Sequence, residues 1–343
     1  MKKIGFLSFG HWQNAHGSQT LTGQDALLQT VELAVAAEEI GIDGAFVRVH
    51  HFARQLAAPF PLLAAIAART RRIAFGTAVV DMRYENPLYM AEEAAIADLI
   101  GHGRLQLGIS RGSPEPALRG WEAFGYASSD DPRSADMARV KTDIFLHALS
   151  GAGVAPADPQ MTGSSGALPI QPQSPGLRER IWWGAGTRQS AVWAAEKGMN
   201  LMSSTLLTEE TGLPFSQLQA EQIRLYRETF AAAGWGRQPQ VSVSRSVLPI
   251  VDDTDRLYFG ADTRRSGEDQ VGYIDGFLSR FGKSYVGEPD AIARDLARDE
   301  AVRAADILLV TVPNQLGVDY NAKLLRTIAA HIAPSIGWRP QVS

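Results

Sequence analysis

The sequence contains no cysteine in its 343 residues. This absence excludes a disulfide framework, a thiolate metal site and a cysteine nucleophile together. An excess of positive charge is also missing, because 33 Lys and Arg residues are opposed by 37 Asp and Glu residues, for a net charge of −4. Nucleic acids and anionic membranes are bound by clustered positive charge, so this balance argues against both as partners.

Long apolar runs are missing as well. The apolar segment that follows the two N-terminal lysines ends at Gly10, which is too short for the core of a signal peptide. No stretch of the chain has the roughly 20 consecutive apolar residues that cross a bilayer. Hydrophobic residues nevertheless make up 45% of the chain, enough for a large core. We therefore expect a globular cytoplasmic protein.

Short apolar segments typical of β-strands alternate with segments of helical spacing. The predicted strands number eight and cover 4–9, 45–50, 72–80, 104–110, 181–184, 199–203, 241–251 and 306–310. No Gly-x-Gly-x-x-Gly motif follows the first strand, which argues against the alternative of an open doubly wound sheet. The alternation predicts an α/β fold of the TIM-type (β/α)₈ barrel class, forming a single domain over 1–343. Segments rich in Gly and polar residues predict insertions near 150–178 and 259–285.

The active sites of such barrels lie at the C-terminal ends of the strands. The second predicted strand ends in Arg48-Val49-His50-His51. Because successive strand residues face opposite sides, His50 and His51 are not expected to share a ligand, and we expect no metal site from this pair. His50 is a candidate proton donor or hydrogen-bond partner; the alternative is a histidine held by neighbouring backbone groups.

Two further strand ends carry candidate anion-binding groups. In the fourth strand, alternation predicts that Ser110 faces the barrel interior, and Arg111 follows at the strand end. After the fifth strand, Gly186 and Thr187 lead into a helix whose first turn contains Ser190. Free N–H groups and hydroxyls at a helix N-terminus bind anions, although an ordinary helix cap gives the same pattern.

The ends of the fourth and fifth predicted strands together predict a phosphate-binding cradle. Arg188, in the first turn of the same helix, is a candidate for an additional positive charge. Arg111 alone is equally consistent with a surface arginine in a salt bridge at the rim. Only the combination of an arginine with a helix N-terminus on a neighbouring strand favours a phosphate-bearing ligand.

Several motifs, in order along nearly the whole chain, resemble the bacterial luciferase-like flavin-dependent monooxygenases. They are Gly41–Phe46 leading to His50-His51-Phe52, Gly76–Val80 followed by Asn86-Pro87, Gly103–Gly108 with Arg111-Gly112, Trp193–Gly198, and Val286–Asp290. The resemblance implies a reduced flavin across the barrel mouth, with its ring over the end of the third strand. It also implies a non-proline cis peptide there, at Ala78-Val79.

The resemblance also implies roles for individual residues. The phosphate site of the family maps onto Arg111, Gly186, Thr187 and Ser190, and Ser110 maps near the flavin ring. The catalytic histidine of the family maps onto His50. Many members carry Glu directly before that histidine, whereas this chain has Val49, so the acidic partner is absent from that position. By alternation Arg48 projects to the same side as His50, where it could hold an anionic substrate group or a peroxide oxygen.

The resulting hypothesis is a monooxygenase that uses reduced, exchangeable FMN and O₂ to oxygenate a small organic substrate. A separate NAD(P)H-dependent flavin reductase would supply the reduced FMN, and the family implies a homodimer. Two alternatives remain open: a deazaflavin-dependent oxidoreductase, and a flavin-binding protein without turnover. The segment 259–285 is either a mobile lid over the mouth or a static insertion.

Overall fold

The computed structural model describes residues 2–112, 115–127, 130–131, 134–209, 211–261, 269–274 and 277–340. Within these ranges, eight parallel strands pair in a closed ring in which β1 contacts both β2 and β8, and β6 pairs with β7. The strands are β1 Lys3–Ser8, β2 Gly44–Val47, β3 Ala74–Asp81, β4 Leu105–Ser110, β5 Ile181–Ala185, β6 Asn200–Ser203, β7 Val241–Pro249 and β8 Ile307–Thr311. The predicted TIM-type barrel is confirmed.

Helices surround this barrel, one long helix after each strand. They are α1 Gly23–Ile40, α2 Pro59–Arg69, α3 Pro87–Ile100, α4 Ala135–Ala148, α5 Arg188–Glu196, α6 Phe215–Ala233, α7 Pro289–Arg298 and α8 Gly317–Thr327. Shorter helical segments cover Pro159–Thr162, Asp253–Phe259 and Glu300–Ala304, and a π-helical turn at Ile328–Ile332 extends α8. In the described part of the chain, no helix is both long enough and apolar enough to span a membrane.

The helix α4 is missing from the sequence-based prediction, in which no element falls between 110 and 181. Its buried side includes Ala138, Phe145 and Leu146, while polar residues occupy much of the remaining surface. It follows Ser134, whose backbone is left-handed and whose side chain makes no capping hydrogen bond. Without a capping signal at its start, the helix is hard to separate from the polar loop before it.

The side chains divide into two apolar layers. The larger core fills the space between strands and helices and includes Leu105, Leu107 and Ile109, which face outward from β4. A smaller cluster fills the barrel interior and consists of Leu7, Phe46, Trp182, Met202, Ile307 and Leu309. The second cluster is the floor on which any ligand at the barrel mouth would rest.

The strand β3 is irregular at its C-terminal end. The peptide bond Ala78-Val79 is cis, as the family resemblance implied. At the same point the register between β3 and β4 shifts, since Thr77 pairs with Leu107 but Val80 pairs with Ile109. Ala78 and Val79 both pack against the apolar cluster inside the barrel. The break in the ladder therefore lies at the barrel mouth, where a site is expected.

Both predicted insertions contain additional strands. In the first, short antiparallel strands at Ala155–Pro156 and Ala167–Leu168 enclose the Pro159–Thr162 helix. In the second, the antiparallel strands Gln270–Ile274 and Phe277–Phe281 extend a small sheet that includes Leu206–Leu207. Residues 262–268 and 275–276 of this predicted lid lie outside the described residues. Its movement stays a prediction, as does the extent of the single domain.

Candidate active site

A cavity of about 350 Å³ opens at the C-terminal ends of the barrel strands. Its wall contains nearly all of the site residues predicted from the sequence, namely Arg48, Ala78, Val79, Ser110, Arg111, Gly186, Thr187 and Ser190. The strand-end rule and the family resemblance therefore converge on one place. His50 is the exception among the predicted residues, because it lies behind Arg48 and outside the cavity wall.

One end of the cavity is suited to an anion. The helix α5 begins here, and Thr187 caps it: its side chain accepts a hydrogen bond from the Ser190 backbone, while the Ser190 hydroxyl accepts one from Thr187 N–H. The two hydroxyls thus stabilise the helix start, which confirms the helix-cap alternative. Gln189, in the first turn of α5, also belongs to the cavity wall. The positive end of the helix lies at the cavity, so a helix cap is compatible with anion binding here.

Two arginines lie at this end, but they are not the pair suggested by the sequence. Arg188 does not contribute to the cavity wall; it forms ion pairs with Glu209 and Glu221 on the outer side of α5. Its place is taken by Arg139 of α4, which lines the cavity with Arg111. The Arg139 guanidinium stacks over the Trp193 ring in a cation–π contact, 5.4 Å from the ring centroid.

The middle of the cavity has a smooth wall made by β3, β4 and β5. A Cβ atom at Gly184 would lie 3.1 Å from the Val79 side chain and 3.3 Å from Ser110. A Cβ atom at Gly112, where φ is +90°, would lie 1.9 Å from the Asp81 carboxylate. Glycine at both positions therefore allows the strand ends to pack closely against one another around the cis peptide.

At the other end, three side chains form a chain of hydrogen bonds. Arg48 donates from Nε to Nε2 of His50 over 2.9 Å, and Nδ1 of His50 lies 3.2 Å from Oε1 of Glu115. His50 is 9% exposed, and the guanidinium of Arg48 also stacks over the ring of Phe9. Burial lowers the pKa of Arg48, and the Glu115 carboxylate opposes that effect. Glu115 thus supplies the acidic partner of His50 that is absent at position 49.

A buried ion pair lies next to this chain. Asp81 accepts hydrogen bonds from Nε and Nη2 of Arg83 at 3.0 and 2.6 Å, and the Arg83 guanidinium stacks over Trp121. The ring of Trp121 belongs to the segment between β4 and α4. This pair therefore connects the end of β3 to the segment that carries Glu115.

His51 points away from His50, as predicted. Its ring stacks on Tyr84 with centroids 4.1 Å apart and meets Phe124 edge-on. Burial lowers the pKa of His51 and, together with the charge of Glu115, raises the pKa of Tyr84 to about 12. Both side chains are thus neutral near pH 7 and form an aromatic wall. The two histidines diverge after β2 has ended at Val47, so the reason is loop conformation and not strand alternation.

The fit of this cavity to a flavin mononucleotide can be judged from its donors. The anion end has two guanidinium groups and a helix N-terminus, and the indole Nε1 of Trp183 in the wall has no hydrogen-bond partner among the described residues. A phosphate would accept hydrogen bonds from the guanidinium groups and from the N–H groups of the helix start. The apolar floor and the smooth wall at Ala78-Val79 suit a planar ring system. The residues present therefore fit the group.

Sequence reasoning missed Glu115, Arg139, Asp81 and Trp183. Asp81 and Trp183 carried a usable signal, because both lie near the C-terminal ends of predicted strands. Glu115 follows Arg111-Gly112 closely, but no pattern connects it to His50, 65 residues earlier. Arg139 was missed because its helix was missed.

Comparison with known proteins agrees with this geometry. A family model described as luciferase-like monooxygenase matches residues 2–258, and the chain belongs to this family. An uncharacterised protein of Bacillus subtilis, YwcH, is 28% identical over 67% of this chain and 65% of its own length. The oxygenase component of the flavin-dependent trigonelline monooxygenase of Acinetobacter baylyi is 25% identical over 78% of this chain and 74% of its own length.

Solved structures show the same fold at lower identity. The oxygenating constituent of 3,6-diketocamphane monooxygenase from Pseudomonas putida, in complex with FMN, has a TM-score of 0.67 at 17% identity and covers 97% of this chain and 99% of its own. The coenzyme F420-dependent tetrahydromethanopterin reductase of Methanopyrus kandleri has a TM-score of 0.64 at 14% identity, covering 98% and 99%. The family thus supports an oxidoreductase with a flavin-type cofactor.

Proposed function

We propose that this protein is an FMN-dependent monooxygenase that uses reduced flavin and O₂ to oxygenate a small organic substrate. The observation that carries the proposal is the cavity itself, which has Arg111, Arg139 and the start of α5 at one end and Arg48 at the other. Membership of the luciferase-like monooxygenases and the flavin-dependent relative from Acinetobacter baylyi support it.

The residues of this chain have distinct tasks in the proposal. Arg111, Arg139 and the capped start of α5 would hold the phosphate, with Gly186, Thr187 and Ser190 in the same wall. Ala78, Val79 and Ser110 would support the ring. The bound reduced flavin supplies the electrons with which O₂ is activated. The protein orients the substrate and excludes water, and we propose that the reaction also depends on His50 and Arg48.

The phosphate site is tested by comparing FMN with riboflavin. In an Arg111→Gln variant we expect FMN affinity to fall by roughly 10- to 100-fold, because a charge-assisted contact is lost, while riboflavin affinity changes little. Arg188→Gln is the matched control, since its side chain pairs with Glu209 and Glu221 outside the cavity. Quenching of flavin fluorescence measures both affinities. Equal losses for FMN and riboflavin would count against a phosphate cradle.

The reaction is tested by mixing the protein with reduced FMN, air-saturated buffer and a panel of aldehydes, ketones and aromatic compounds. We expect one class to raise O₂ consumption above the rate of peroxide release without substrate, and mass spectrometry to show an added oxygen atom. Flavin binding with no oxygenated product from any compound would favour a binding protein without turnover.

A deazaflavin-dependent oxidoreductase is the second candidate, since the fold is shared with the F420-dependent reductase of Methanopyrus kandleri. Coenzyme F420 in place of FMN distinguishes the two candidates. Affinity for F420 at least 10-fold above that for FMN, with hydride transfer and no O₂ consumption, would establish this alternative.

Two partners belong to the proposal. A separate NAD(P)H-dependent flavin reductase would supply reduced FMN, in line with the relative named as an oxygenase component. A homodimer is favoured by exposed apolar residues on the adjacent helices α3 and α4, which are Tyr89, Ile96, Val140 and Ile144. Light scattering on the purified protein, with Val140→Glu as the disrupting variant, measures this association.

A further inference from the structure

The polar end of the cavity has an unexpected order of side chains. Arg48 and Glu115 belong to the cavity wall, whereas His50 connects them from behind through its two ring nitrogens. Among the described residues that form this wall, the predicted catalytic histidine does not appear. Of the residues that directly follow β2, Arg48 and Val49 line the cavity, and Arg48 is the one with a hydrogen-bonding side chain.

Hydrogen-bond chemistry determines which form of His50 is present. A guanidinium N–H is always a donor, so Nε2 of His50 must accept and carries no proton. The proton of the neutral ring is then on Nδ1, from which it is donated to the Glu115 carboxylate. In this arrangement the lone pair of Nε2 is already occupied. His50 cannot take a proton from a ligand without losing its bond to Arg48.

We propose that His50 and Glu115 are positioning residues that hold Arg48, and that Arg48 donates hydrogen bonds to an acceptor oxygen of a neutral, mostly apolar substrate. The inference rests on the proposed function, since it assigns the substrate end of the same site. His50 fixes Nε of Arg48, and the ring of Phe9, with its centroid 5.0 Å away, supports the flat face of the guanidinium. The edge of the guanidinium is thereby held in one orientation, so less conformational entropy is lost when a ligand binds.

The charges around this end favour a neutral substrate over an anionic one. Arg48 is compensated by Glu115 through His50, and Arg83 is compensated by Asp81 in direct contact. An added carboxylate would place a second negative charge near the buried carboxylate of Glu115, which is costly. A neutral carbonyl oxygen accepts without that cost. The floor beneath is apolar, with Leu7, Met202 and Leu309 in the wall, so the rest of the substrate is expected to be hydrocarbon.

The positioning role is tested by a pair of histidine variants. Glutamine at position 50 can accept from Arg48 and donate to Glu115 but cannot act as a proton acceptor in catalysis, whereas leucine can do neither. We expect His50→Gln to bind the probe cyclohexanone within about 3-fold of the wild type and His50→Leu to bind it roughly 10-fold more weakly. The shift of the bound FMN absorbance band on titration measures the affinity. Equal loss in both variants would overturn the positioning role.

The tautomer of His50 is an independent readout that needs no flavin. In ¹⁵N-histidine-labelled protein without cofactor, we expect the ¹⁵N chemical shifts of His50 to be those of a ring that is protonated at Nδ1 and unprotonated at Nε2. In Arg48→Gln the donor to Nε2 is weakened, and we expect the population protonated at Nε2 to increase. Protonation at Nε2 in the wild type would overturn the inference even if the protein binds FMN.

The substrate class is tested with three compounds that share one ring: cyclohexanone, cyclohexanecarboxylate and methylcyclohexane. We expect cyclohexanone to bind the FMN-loaded protein most tightly, and Arg48→Gln to weaken that binding by roughly 10- to 100-fold without changing methylcyclohexane. Arg48→Lys should retain part of the affinity, and Arg54→Gln, an exposed arginine in the following loop, is the matched control.

Three results would contradict the substrate class. They are tighter binding of cyclohexanecarboxylate than of cyclohexanone, unchanged cyclohexanone affinity in Arg48→Gln, and no cyclohexanone binding by the wild type. Absence of FMN binding together with a ring protonated at Nδ1 would count against the proposed function alone. The two failures are therefore distinguishable.

Discussion

At the scale of single residues, the site depends on side chains that are close in space and far apart in sequence. Val49 stands where the family resemblance implied a glutamate, yet His50 still has a carboxylate partner because Glu115 reaches it from the segment after β4. The carboxylate partner of this histidine can thus come from another element of the fold. The absence of one motif residue from its expected position is therefore weak evidence about the chemistry of the site.

Burial also changes the protonation of single residues near the site. Glu85 follows the turn Met82–Tyr84 at the end of β3, and burial together with the charge of Glu93 raises the pKa of Glu85 to about 7. Between pH 4.5 and 7 the folded state therefore holds a proton that the unfolded state has released. The free energy of unfolding must then decrease as pH rises through this window, since the group favours folding only when protonated.

A Glu85→Gln variant tests this dependence. In the wild type, the contribution of Glu85 to the free energy of unfolding falls by up to roughly 3 kcal/mol from pH 4.5 to pH 7. We expect this fall to be absent in the variant, so that the variant is more stable than the wild type at pH 7 and above. Urea unfolding at several pH values measures the difference. Glu39→Gln, an exposed change on α1, is the control. Parallel pH curves for wild type and Glu85→Gln would show that Glu85 has an ordinary pKa.

At the scale of elements, the start of α5 has a part both in stability and in the proposed phosphate site. Its capping box uses both hydroxyls that the sequence assigned to phosphate binding. The N–H groups of the first turn remain oriented toward the cavity because the cap holds the helix start in place. The cap and the proposed anion site would thus be two consequences of one local conformation.

The cap is tested by Thr187→Ala with Thr187→Ser as the control that keeps the hydroxyl. We expect Thr187→Ala to lose about 1 kcal/mol of unfolding free energy, because the Ser190 N–H loses its acceptor. FMN affinity should fall in the same variant and remain near wild type in Thr187→Ser. Urea denaturation and flavin fluorescence provide the two measurements. A stable Thr187→Ala protein that still loses FMN would show that the hydroxyl binds the ligand directly.

At the scale of the whole molecule, a buried ion pair joins the segments that close the barrel. Arg245 of β7 and Asp299 are each 2% exposed in their side chains, and Asp299 also accepts from Tyr285 and from the backbone of Val302. These contacts connect β7, the short strand Tyr285–Gly287 and the helix before β8. Removing one charge leaves the other buried and unpaired.

An Asp299→Asn variant is therefore expected to lose about 3–5 kcal/mol of unfolding free energy. Asp253→Asn makes the same chemical change in a fully exposed side chain that pairs with Arg256, and we expect it to change stability little. Urea unfolding at pH 7 compares the two variants. Equal unfolding midpoints would show that the buried pair contributes no stability.

The sequence by itself determined the barrel and much of the cavity wall. Strand and helix patterns are local, because burial of one face sets the spacing of apolar residues within each element. Once a (β/α)₈ order is predicted, its strand ends must meet at one mouth, and this brought Arg111, Ser110 and Thr187 together correctly. The cis peptide at Ala78-Val79 followed from the family resemblance alone.

Only the tertiary structure decided which side chains meet. It showed that Arg188 faces Glu209 and Glu221, that Arg139 of the unpredicted helix α4 enters the cavity, and that Glu115 contacts His50. These contacts join segments separated by long stretches of chain, and they depend on how helices and loops pack and on the rotamers that packing allows. Neither local spacing nor composition records that information.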